Sequence, residues 1–129
     1  MKIVVAIARY LLGAAFVFFG SNLFFNFLKG QLPNGPGATF VGLLVAHHYT
    51  YVIGALMVVS GILFLVNRFV ALGLVLLGPV LVNILMFHLL ILPDGFQAGV
   101  VLTLLWLLVF WQHRSAFAGI FSAKLEGQV

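Results

Sequence analysis

Asn22, Asn26, His47, His48, Asn83 and His88 are the side chains of this sequence best able to do chemistry, and they have few competitors. Two carboxylates, Asp94 and Glu126, accompany four histidines, and cysteine is absent. Without cysteine there is no disulfide, no thiolate nucleophile and no thiolate metal site, so any redox chemistry needs a bound cofactor. A Ser-His-Asp triad or a carboxylate pair is also out of reach, because the topology derived below puts the two acids at opposite ends of the molecule. No catalytic residue is assigned, and the absence of a self-sufficient motif favours a protein that is not an enzyme on its own.

Three ligand chemistries fit the six residues. His47, His48 and His88 with Asp94 form a nitrogen and oxygen set for a metal ion, but adjacent histidines rarely bind one ion together and no HxxxH or HxxE spacing occurs. No metal site is therefore assigned, with His47 and His88 the nearest candidates. Haem or a chlorophyll-type pigment could take an axial imidazole from His88 or His47 between bulky apolar side chains. A quinone-like or lipid headgroup asks for no special spacing: the six residues would hydrogen-bond its oxygens while Phe18, Phe19, Phe24, Phe25 and Phe87 line its tail. A purely structural use stands beside all three, with asparagines bridging helices and histidines joining tyrosines in an interfacial belt.

The elements that must position these groups follow from composition. The chain has 129 residues, 64% hydrophobic and 6% charged, too little polar surface to cover a water-soluble globule when soluble domains run to about a quarter charged. Lipid must supply the missing apolar solvent. The net charge of +4 is spread thinly and reads as topology-setting charge, which excludes a nucleic-acid partner and leaves the bilayer and other membrane subunits as expected partners.

Apolar runs long enough to cross a bilayer, about 20 residues each, predict spans at about 3–28, 49–66, 69–92 and 96–113 in a single membrane domain over residues 1–129. The first is too long for a signal peptide and lacks a small-residue cleavage site. Lys2 and Arg9 are expected to snorkel to one interface. Two prolines and three glycines in residues 29–37 mark a loop. The apolar stretch at about 38–47 is half a span in length, so a short re-entrant or interfacial helix is predicted before the second span. Pro79 predicts a kink near Val75 and Leu76. Phe117, Ile120, Phe121 and Leu125 recur at helical spacing, predicting an amphipathic tail over about 115–126 on the bilayer surface. The fold class is thus an all-α membrane protein, a four-transmembrane-helix bundle.

Small residues mark where helices can approach closely. Gly13 and Gly20 lie seven apart in the first span, Gly54 and Gly61 repeat that spacing in the second, and Gly95 with Gly99 opens the fourth as GxxxG. Lys2, Arg9, Arg68, Arg114 and Lys124 would share one side, leaving Lys29 on the other, so the positive-inside rule puts both termini in the cytoplasm of a bacterial inner membrane. At about 1.5 Å of rise per residue, the six candidate residues then fall at one level in the outer half. Polar groups in lipid must be paired or face a wet cavity, which makes that level the candidate site and predicts that Asn83 faces the interior.

Arg9-Tyr10-Leu11-Leu12-Gly13, Phe16, Gly20, Asn22 and Phe24 in the first span, with Asn67-Arg68-Phe69, Gly78-Pro79-Val80, Asn83-Ile84 and Phe87-His88 around the third, resemble the DoxX family of small bacterial membrane proteins across essentially the whole chain. The resemblance implies a four-helix inner-membrane protein whose relatives include a subunit of a thiosulfate:quinone oxidoreductase and partners of oxidant-defence proteins. It implies redox chemistry at the quinone level. With no cysteine for thiol chemistry, the expected role is an accessory subunit of a larger redox or electron-transfer membrane complex. The alternatives are a quinone- or lipid-binding oxidoreductase component and a pigment- or haem-binding subunit of a photosynthetic or respiratory assembly.

Overall fold

Backbone N–H and C=O groups left unpaired in hydrocarbon cost several kcal/mol each, so an apolar chain closes its hydrogen bonds within helices. The computed structural model, described for residues 1–127, is helix and turn with no strand among those residues. Helix α1 spans Lys2–Phe25, α2 Pro36–Ala46, α3 Tyr49–Val66, α4 Val70–Met86 and α5 Phe96–Gln112. A π-helical turn, Phe87–Ile91, continues α4, and a 3-10 segment, Arg114–Phe121, follows α5. α1, α3 and α4 with its π turn are long and apolar enough to cross a membrane; α5 makes a fourth if it counts as one span with the 3-10 segment, from which it is bent by 81°.

The element ends have local causes. α1 stops at Phe25, short of residue 28, because Asn26 turns left-handed at φ 49 and gives its N–H to the Asn22 carbonyl, a conformation that a short amide side chain tolerates. α2 begins earlier than expected, at Pro36, whose fixed φ and missing N–H suit a first helical turn. Asn67 and Phe69 are both left-handed, at φ 54, and make the tight turn that sets α3 antiparallel to α4.

α1 and α3 form the most extensive contact, and α3 with α4, α4 with α5 and α5 with α1 complete the packing. The glycines explain the first. A Cβ added at Gly61 would lie 2.7 Å from the Gly13 carbonyl oxygen, and one at Gly20 or Gly54 would lie 3.0 Å from the other's carbonyl oxygen. The two seven-residue spacings therefore interlock in antiparallel register, Gly13 on Gly61 and Gly20 on Gly54. Around this contact Leu12, Phe16, Phe64, Leu74, Leu77 and Val109 are fully buried. Gly73 admits α4 beside the Phe64 ring, where a Cβ would come within 2.9 Å.

Gly95 and Gly99 both abut α4 and its π turn: Gly99 packs on Ile84 and Leu85, and Gly95, at φ 87 in the turn that opens α5, lies against the His88 ring. α4 is α-helical from Val70 through Pro79 to Met86 and passes into the π turn, where Leu92 N–H bonds the Phe87 carbonyl. Two expectations, the form of the tail and the snorkelling of Arg9, are corrected. The tail is a tighter 3-10 segment ending at Phe121, with Phe117 buried 5.0 Å from the Phe110 ring and Ile120 and Phe121 exposed. Arg9 does not snorkel; it is buried, and its Nη1 donates to the Phe64 carbonyl near the end of α3. That carbonyl lies in the last turn of a helix, the negative end of its dipole, and the long guanidinium arm reaches it more readily than bulk water.

Two measurements test this packing. Gly61→Ala should lower stability by about 1–3 kcal/mol, the cost of overpacking against backbone, in denaturant titrations of the detergent-solubilised protein, while Gly42→Ala, with nothing within 4 Å of the added methyl, should not. The Ser60 hydroxyl is fully buried with no hydrogen-bond partner among the described residues; Ser60→Ala should raise stability by about 1 kcal/mol by removing that orphaned group.

Candidate functional site

The structure puts five of the six candidate residues at the end of the helices where α1 finishes, and there the side chains of Asn22, His48 and His88 are engaged locally. Asn22 and Asn26 terminate α1: beyond the Asn26 turn, Asn22 Oδ1 accepts the Leu28 N–H at 2.8 Å. His47 closes α2, and His48, left-handed at φ 57, opens α3. The His48 ring lies 5.1 Å from Tyr51, which stacks on Phe24 at 5.3 Å.

His88 sits in the π turn. Its Nδ1–H donates to the Leu92 carbonyl at 3.1 Å, a bond that leaves Nε2 with the lone pair in the neutral ring. Phe87 meets His88 edge-on at 5.2 Å and the Phe40 ring of α2 at 5.9 Å. Gly37 lets α2 settle there, since a Cβ would lie 3.2 Å from Leu92 Cβ. The expected level of polar groups is thus two separate aromatic groupings, one at Phe24, His48 and Tyr51, the other at Phe40, Phe87 and His88.

Asn83 is placed differently from expectation. It is exposed on α4, and its Nδ2 donates to the Pro79 carbonyl of its own helix at 2.8 Å. The buried stripe of α4 runs through Val70, Gly73, Leu74, Leu77, Val80 and Leu81; at about 100° per residue Asn83 turns off that stripe, and an amide facing outward closes on the nearest carbonyl. No group of three histidine, aspartate or glutamate side chains able to hold a metal ion occurs among the described residues.

Two cavities lie elsewhere, and neither includes any of the six residues. One, of about 180 Å³, is an apolar groove between α4 and α5 lined by Gly78, Leu81, Val82, Leu85, Thr103, Trp106 and Leu107. Trp106 Nε1 donates to the Leu74 carbonyl at 3.1 Å, and Thr103 to Gly99 at 2.7 Å, so its polar groups are satisfied from within. The other, of about 160 Å³, lies at the opposite end and is lined by Lys2, Val5, Ala6, Arg9, Asn67, Gln112 and His113. His113 is fixed there by Nδ1–H donating to the Val109 carbonyl at 2.9 Å.

The Arg9 cavity is the grouping that sequence reading missed. Its signal was present, since Lys2, Arg9, Asn67 and His113 all fall near one membrane face, but cations at that level read equally well as topology charge. Beyond this cavity, Arg114 donates to the Trp111 carbonyl and lies 4.4 Å over its ring, the aromatic and basic pairing of a membrane interface. No family model, no curated protein and no solved structure matches the chain.

Proposed function

We propose that this chain is a DoxX-like, multi-pass subunit in which all four long helices cross a bacterial inner membrane, α2 lies re-entrant or at the interface, both termini face the cytoplasm, and the α4–α5 face docks against a larger redox or electron-transfer complex. The observation that carries the docking is Asn83: a primary amide exposed on an otherwise apolar helix face, between the exposed Val82 and Met86. One N–H is used on Pro79, and the amide's other hydrogen-bonding capacity faces outward. In hydrocarbon such a group is a site for interhelical bonding, and Gly78 and the groove beside it provide the close approach that membrane helices use in place of a hydrophobic driving force. The redox assignment rests on the resemblance of the α1 and α4 segments to the DoxX family.

A second reading draws on the same groove. Its lining is almost wholly apolar and its volume of about 180 Å³ suits part of an isoprenoid or acyl tail. Mass spectrometry of lipids extracted from the purified protein decides it: a stoichiometric quinone supports the tail-binding reading, and its absence, with an unchanged melting temperature on adding quinone, removes it.

For the docking reading, gentle-detergent purification should yield an assembly larger than this chain. Asn83→Leu and Gly78→Leu should release the partner while the isolated subunit keeps its stability for Asn83→Leu to within about 0.5 kcal/mol, as expected for an outward position. Size-exclusion chromatography and thermal unfolding in parallel separate the two effects, and recovery of the wild-type chain without any partner sinks the reading.

A further inference from the structure

A buried guanidinium needs a counter-charge, because desolvating it without a paired anion is costly. Arg9 is 6% exposed, and its protein contacts are the neutral Phe64 carbonyl and the face of the Tyr10 ring, 4.3 Å from the guanidinium carbon. Neither Asp94 nor Glu126 lines the cavity that Arg9 shares with Lys2, Asn67, Gln112 and His113. Two cations, two amides and an imidazole thus converge on about 160 Å³ of open space, well above the ~10–15 Å³ that a single water requires.

We propose that this cavity binds a phosphate group, carried either by an anionic phospholipid of the adjoining leaflet or by a soluble phosphate ester. Arginine presents planar, forked N–H donors that match phosphate oxygens, and lysine adds a point charge. Asn67 and Gln112 contribute amide donors from the α3–α4 turn and the end of α5. α1 begins at Lys2 without a side-chain cap, so the positive end of its dipole adds to the same field. The site draws on α1, the α3–α4 turn and α5, and bound phosphate would tie these elements together. It is independent of the partner face on α4 and α5.

The test uses the full chain in a neutral detergent at constant ionic strength. It is titrated with dihexanoyl phosphatidylglycerol and, separately, with inorganic phosphate, and followed by phosphorus NMR line width and melting temperature. Saturable binding is expected, weakened roughly tenfold or more by Arg9→Gln, the scale set by losing a hydrogen bond to a charged group, and several-fold by Lys2→Gln. Lys2 is exposed, so its variant reports on binding even where Arg9→Gln fails to fold. Arg114→Gln is the control, a cation near the same end that does not line the cavity. Response to the lipid alone assigns the phosphate to a membrane headgroup; competition by inorganic phosphate assigns it to a soluble ester. Absence of saturable binding, or equal weakening by Arg114→Gln and Lys2→Gln, overturns the proposal, the latter by reducing the effect to general surface charge.

Discussion

The backbone-to-backbone approach of α1 and α3 is the constraint on which the rest of the molecule depends. With Gly13 set on Gly61 and Gly20 on Gly54, the two helices have one antiparallel register, and any Cβ at these positions forces them apart. That register carries Arg9, one turn before Gly13, to the carbonyl of Phe64, three residues after Gly61. At the other end it brings Phe24 onto Tyr51, and through Tyr51 onto His48. Both ends of the molecule are thus positioned by four residues that have no side chain, because dispersion between closely approaching backbones replaces the hydrophobic drive that lipid removes.

Around this pair, several polar side chains are satisfied within their own helix. Asn83 bonds Pro79, Thr103 bonds Gly99 and His113 bonds Val109, each reaching back four residues, while His88 reaches forward four to Leu92. A short polar side chain in hydrocarbon closes on the nearest carbonyl, and in a helix that carbonyl is one turn away. Residues that share a level in the membrane therefore do not by that fact share a site. Two longer side chains do otherwise: Arg9 and Trp106 both reach a carbonyl on another helix, and both line a cavity.

The two ends consequently differ in kind. Where α1 finishes, aromatic rings of α1, α2, α3 and the π turn pack on one another and on the His48 and His88 rings, and the π turn is the place where α4 abandons regular geometry, as helices often do near functional sites. Where α1 begins, cations and amides from three parts of the chain face a common space that no acid lines among the described residues. Charge that the positive-inside rule treats as an address is here also folded into the protein.

The all-α class, the apolar helices and most of their boundaries were legible in the residues, since composition and run length directly express the cost of unpaired backbone in lipid. The glycine spacing was legible too, but not its pairing: seven residues between glycines occurs in both α1 and α3, and only their antiparallel contact shows which glycine meets which. Rotation was the other quantity beyond reach. Vertical position follows from counting residues, whereas the direction of Asn83 depends on which stripe of α4 the neighbouring helices bury. In α4 apolar side chains surround the helix, so no polar face marks the outside. For the same reason Arg9 read as a residue bound for the interface; only the proximity of the Phe64 carbonyl, created by the α1–α3 register, turned it inward.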